Sequence, residues 1–234
     1  MIYPLDIYSL DEGHLGHLIP LMEAVLRNDH PTLGLGTALS GLANQLLQEQ
    51  HSSGGWPRDM AGKHGKYEFR LPQFNDGAMA SPLDFLRVYA TFADVNSGGV
   101  LDALANGWAF VVRTINSQRR PGVPPCVNFA GISVNHRPTE PAGVIDIQAT
   151  AEIVRCMRRV LADDLLPDDL AAKVADKEAK LTGFVQRCKG KTADCPGTGD
   201  WPRYVIDEPG DITPWWWRGK PEGYAWRGNW GADL

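Results

Sequence analysis

The sequence predicts an all-α fold built from helical hairpins, and three observations carry that expectation. Six stretches place apolar residues three and four apart, the period of one helix face. Sustained alternation of Val, Ile or Thr with polar residues, the mark of half-buried strands, is scarce. A helix ending in Gln before a Gly/Pro turn also occurs twice. Gln50 precedes Ser52-Ser53-Gly54-Gly55-Trp56-Pro57, and Gln118, 68 residues later, precedes Arg119-Arg120-Pro121-Gly122. Such a repeat suits a toroid, or part of one, made of helical hairpins.

The first helix is expected over His14 to Arg27, with Leu15, Leu18, Ile19, Met22, Val25 and Leu26 inward. The second, Gly36 to Gln50, turns Leu39, Leu42, Ala43, Leu46 and Leu47 to one face. The third, Ala78 to Ala93, buries Leu83, Leu86, Tyr89 and Ala90. Its Pro82 sits in the first turn, where a missing N–H costs little. The fourth, Val100 to Ile115, carries Leu104, Trp108, Val111, Val112 and Ile115. The fifth, from about Asp146 to Leu161, carries Ile153, Val154, Met157 and Val160. The sixth, Pro167 to Arg187, is charged on one side and shows Leu170, Val174, Leu181 and Val185 on the other. Long irregular loops separate them at 51–76, 119–145 and 189–234. Loops of that length are usually functional, so one face of a helical scaffold is expected to carry a cleft lined by them.

The chain of 234 residues is read as one domain, 1–234. Hydrophobic residues at 43% suffice for a packed core, and a net charge of −5 argues against a nucleic-acid partner. No apolar run reaches 18 residues, so no membrane partner is expected, and no secretory signal is visible at residues 1–27. Cys188 and Cys195 close a short polar loop that can form a disulfide in an oxidising compartment. Their spacing is too wide for a CxxC zinc pair.

The chemistry-bearing residues cluster in the loops. Six of the eight Trp lie beyond residue 200 (Trp201, Trp215, Trp216, Trp217, Trp226 and Trp230), interleaved with Arg203, Arg218, Lys220 and Arg227. Aromatic rings beside cations suit an anionic ring compound, an acidic sugar or stacked bases, and the acidity of the chain favours the sugar. Trp56, after two glycines, is either a core lid or a platform for a sugar ring. Asn75 and Asp76 stand at a helix start, where one can cap the helix while the other projects. P-loop, GxSxG and HExxH motifs are absent from the sequence.

Gly54-Gly55-Trp56-Pro57, Phe74-Asn75-Asp76-Gly77-Ala78-Met79, the Asn135–Pro141 loop, Trp201-Pro202-Arg203-Tyr204 and Glu222-Gly223-Tyr224-Ala225-Trp226-Arg227-Gly228 follow one another along the chain. In that order they resemble the pectic acid lyases, family ten of the polysaccharide lyases, over roughly Leu39 to Trp230. The resemblance implies an (α/α) toroid-like fold, calcium, a secreted or periplasmic location, and β-elimination of polygalacturonate or a related uronate polymer. It implies Asp76 as calcium ligand and Arg203 as the base that takes the C5 proton. Trp56, Asn75, Arg218, Lys220 and Tyr224 would then bind substrate.

This sequence departs from the family pattern at Asn135-His136-Arg137, where the family usually carries Gln-x-Asp. Arg137 therefore stands in place of an acidic metal ligand, and its charge can replace the ion's. Of the Ala-Arg-x-x-Glu segment that commonly follows in the family, the Arg is lacking in Gly143–Glu152. The rival expectation is a carbohydrate-binding protein of the same fold whose catalytic set has decayed. A terpenoid-cyclase-like helical toroid ranks last, because the loops are strongly polar.

Overall fold

The computed structural model describes Leu10, Pro72, Phe74 and residues 15–27, 35–57, 77–92, 98–117, 144–192, 197–208, 211–214, 227–229 and 231–234. Among these residues the chain is mostly helical. Its helices are α1 (His17–Arg27), α2 (Leu35–Glu49), α3 (Ala80–Phe92), α4 (Gly98–Ser117), α5 (Ile147–Ala162) and α6 (Asp168–Arg187). Each expected helix is present, with its ends shifted by a few residues. The expected apolar stripes face inward: Leu15, Ile19, Leu42, Leu46, Leu83, Leu86, Leu104, Trp108, Ile153, Met157, Val174 and Leu181 are all buried.

The helices stack in two layers. α1, α3 and α5 pack side by side, and so do α2, α4 and α6, while α3 meets α4 and α5 meets α6 across the layers. α3 and α5 run in the same direction, because their paired residue numbers rise together. The Cys156 thiol points to the Ala80 carbonyl at 3.7 Å, Arg159 bonds Asp84, and Arg87 bonds Asp163. α5 and α6 form an antiparallel hairpin over the short turn at 163–167. Its outer face is tied by Arg158 to Glu178 at 2.7 Å and to Thr182 at 3.3 Å.

α3 lies in the middle. Every residue from Ala80 to Tyr89 is buried, including Ser81, Asp84 and Arg87. A helix enclosed on all sides has no solvated face for charged residues, so those two must find partners within the protein.

Among the described residues strands are few, as expected, but the long loops contain short ones. β1 (Val144–Asp146), β3 (Tyr204–Glu208) and β4 (Asp211–Pro214) form an antiparallel sheet in the order β1-β3-β4. β2 (Trp201–Pro202) pairs with β5 (Arg227–Gly228). Strands of two to five residues are too short to display an alternating pattern, and their pairing depends on partners remote in sequence. No helix among the described residues is long and apolar enough to cross a membrane.

Candidate functional site

The Gly-Gly-Trp turn proves structural. Gln50 donates from Nε2 to the carbonyls of Gly54 at 2.7 Å and Ala103 at 2.8 Å, closing the turn and fastening it to α4. Gly54 has a φ of +97°, and a side chain there would meet the Asn106 carbonyl oxygen at 2.4 Å, so only glycine fits. The turn delivers Trp56 into the core, where it is 0% exposed and donates its indole N–H to the Leu46 carbonyl at 2.8 Å. The expectation that Trp56 walls a substrate cleft is therefore corrected. A ring without accessible surface cannot stack on a sugar, and the core-lid alternative is the one realised.

Arg203 stands at the head of α5. Asp146 caps that helix by accepting from the Ala149 N–H at 3.0 Å, and the Arg203 carbonyl accepts from the Ile147 N–H at 2.7 Å. Arg203 Nε lies 3.7 Å from Asp146 Oδ2, and its guanidinium sits 5.3 Å from the centre of the Tyr204 ring. Asp146 is fully buried, while the Arg203 side chain keeps 21% exposure. A carboxylate at that distance favours the charged guanidinium. Trp201, in the same motif, is buried and donates to the Val185 carbonyl at 2.8 Å, so it anchors the β2 strand to α6.

Asn75, Asp76, Arg137, Arg218, Lys220 and Tyr224 lie outside the described residues. Of the Phe-Asn-Asp-Gly-Ala-Met word, the buried Phe74 and the segment Gly77–Met79 are described. Gly77, with a φ of +74°, lines a cavity of about 180 Å³ between α1, α3 and α5.

That cavity holds charged residues that no motif singled out. Ile19, Ala80 and Ser81 form part of its wall, and Asp84, Glu152, Arg155, Cys156 and Arg159 complete it. Asp84 accepts from Arg87 Nε and from Arg159 Nη1, both at 2.6 Å. Arg87 Nη1 also bonds Asp163 at 2.5 Å, and Glu23 stands 3.9 Å from its Nη2. Burial pulls the Arg87 guanidinium down, but the charges and hydrogen bonds of Asp84 and Asp163 outweigh it and hold the group above its ordinary value.

On the rim, Arg155 grips Asp233 in a two-point fork, Nε to Oδ2 at 2.7 Å and Nη2 to Oδ1 at 2.6 Å. That bond raises Arg155 and lowers Asp233 from their ordinary values. Burial, reinforced by the Asp84 charge, pushes the Cys156 thiol well up, so it stays protonated at neutral pH.

The sequence held one signal of this network. Asp84 and Arg87 are the only ionisable acid and base in α3, three residues apart in an otherwise apolar helix. Isolated charges of that kind are often paired inside. Among the described residues no three His, Cys, Asp or Glu side chains converge as a metal site. No family model matches this sequence, and a search of curated proteins finds no match. The likeness to the pectic acid lyases thus stands on the motif words and their order along the chain.

Proposed function

We propose that the protein is a polyuronate lyase that cleaves an acidic polysaccharide, polygalacturonate or a relative, by β-elimination. The observation that supports it best is the parallel run of α3 and α5. It brings Gly77–Met79, the described end of the Phe-Asn-Asp-Gly-Ala-Met word, at the head of α3, and Arg203, at the head of α5, to the same end of one helix layer. At the observed pairing, Gly77 is level with about residue 153. The Arg203 carbonyl at Ile147 is then about 9 Å further along the axis and one helix spacing of about 8–10 Å across. The packed pairs α3–α4 and α5–α6, with α3 against α5 and α4 against α6, are compatible with successive hairpins of an (α/α) toroid, and the proposal includes that architecture.

Elimination from a uronate makes three demands. The carboxylate charge must be neutralised so that the C5 proton becomes acidic, a base must remove that proton, and the C4 oxygen must leave. Arg203 is the proposed base. Arg137 is the proposed neutralising cation, with Asn75, Arg218, Lys220 and Tyr224 binding the polymer. Calcium, if the polymer brings it, would meet a carboxylate at Asp76. A guanidinium is almost always charged, and Asp146 stabilises the charged form further. A base of that kind demands alkaline conditions.

The test is incubation with polygalacturonate, following the ultraviolet absorbance of the unsaturated uronide. Absorbance should rise with wild type and stay flat with Arg203→Ala. Binding of the polymer without product, equal in both proteins, would replace the lyase by the carbohydrate-binding reading.

A further inference from the structure

We infer that Arg155, on the rim of the cavity between α1, α3 and α5, is a binding site for the carboxylate of a uronate sugar, with Asp233 as its internal competitor. The identity of the sugar rests on the lyase reading. The recognition of a carboxylate rests on geometry alone.

The fork that Arg155 makes with Asp233 uses both oxygens of the carboxylate, and it is the fork that Arg forms with any carboxylate. Its acid partner is easily replaced. The Asp233 side chain is 61% exposed, against 28% for Arg155. The 231–234 turn also has other moorings. The Asp233 carbonyl accepts from Arg158 Nη1 at 3.1 Å, and the Gly231 carbonyl accepts from Gln186 Nε2 at 3.2 Å. Leu234 packs against the core. The carboxylate of Asp233 can therefore release Arg155 without undocking the turn, and a ligand carboxylate would replace one charged fork by another.

The cavity beside Arg155 suits the rest of a sugar. Its volume of about 180 Å³ equals that of about six waters, room for one small ring rather than a chain. Ile19 and Ala80 offer an apolar wall for a ring face, while Ser81 and Glu152 offer hydrogen-bonding groups for hydroxyls. Gly77, just before α3, lines the cavity beside the head of that helix, where the proposed elimination site lies. Arg155 would thus hold a uronate unit adjacent to that site. Competition by Asp233 would keep its affinity low enough for release.

The experiment titrates D-galacturonate, with D-galactose as the control lacking a carboxylate, into the full chain. Calorimetry gives the affinity, and the Ile19 methyl signal in NMR reports occupancy of the cavity. We expect galacturonate, and not galactose, to move the Ile19 signal. Asp233→Asn should tighten galacturonate about two- to fivefold by weakening the competitor, and Arg155→Gln should weaken it at least tenfold. Unchanged affinity in Asp233→Asn, or a silent Ile19 methyl, would overturn the inference. Cleavage of polygalacturonate by the same Asp233→Asn protein, with galacturonate affinity unmoved, would remove this site and leave the lyase reading standing. Tighter binding at the cavity without cleavage would do the reverse.

Discussion

Replacing Asp84 by Asn should destabilise the protein by breaking the charge network inside α3, and the structure sets the size of the effect. Asp84 is 5% exposed and its two oxygens each take one short bond, from Arg87 and Arg159. Arg159 is half exposed, so when released it returns to water at little cost. Arg87 is 5% exposed and cannot. Stripping a partner from a buried charge costs about 3–5 kcal/mol when nothing remains beside it. Here Asp163 still bonds Arg87 at 2.5 Å, which lowers the expected loss to about 2–3 kcal/mol. For a chain of this length that corresponds to about 5–10 °C in Tm. Urea unfolding should show the midpoint fall with an unchanged slope. A double replacement, Asp84→Leu with Arg87→Met, should cost less than Asp84→Asn alone, because no charge is left stranded. A loss below about 0.5 kcal/mol for Asp84→Asn, or strict additivity in the double variant, would refute the network as drawn.

Trp56→Phe should lower stability by about 1–3 kcal/mol, through the lost bond to Leu46 and the lost volume, while leaving the affinity for polygalacturonate unchanged. An affinity loss with unchanged stability would return Trp56 to the cleft. Cys156 should make the protein less stable in alkali. Its folded thiol titrates well above the unfolded one, so its contribution is complete below the unfolded value of about 8.5 and falls as pH rises beyond it, by about 1.4 kcal/mol per pH unit. Cys156→Ala should flatten that decline between about pH 9 and 10.5 when Tm is followed against pH. The Arg155–Asp233 pair should matter in acid instead. The lowered Asp233 stabilises the fold above about pH 4 and loses that effect as pH falls through its folded value, by less than 1 kcal/mol because the pair is largely solvated.

The helices were readable because each carries apolar residues three and four apart over eight or more residues, long enough for the 3.6-residue period to register. Leu39, Leu42, Ala43 and Leu46 in α2, for example, all lie inside as their spacing predicts. α3 was only half readable. Its stripe of Leu83, Leu86 and Tyr89 appeared, but only the isolated Asp84 and Arg87 hint that the side carrying them and Ser81 is also enclosed, since that enclosure comes from neighbours such as α1 and α5. β1 and β3 are not legible in the sequence, because their pairing too depends on distant residues. Three residues of β1 acquire strand character only by pairing with Tyr204, Val205 and Ile206 far along the chain. The Gln before the Gly-Gly turn was visible as a repeated word, and its two hydrogen bonds explain the first occurrence. The grip of Arg155 on Asp233 joins residues 78 apart with no motif at either end, so only the folded chain displays it.

The central claim is that Arg203, positioned by Asp146 at the head of α5, takes a proton from a uronate. The direct measurement is the initial rate of unsaturated uronide formation from polygalacturonate against pH, for wild type and Arg203→Lys. The account predicts a wild-type rate that keeps climbing into the alkaline range, up to the onset of unfolding. The lysine variant, whose ordinary value of about 10.4 lies below that of arginine, should be slower overall but reach its plateau at lower pH. A wild-type optimum near pH 5, or identical profiles for the two proteins, would contradict it.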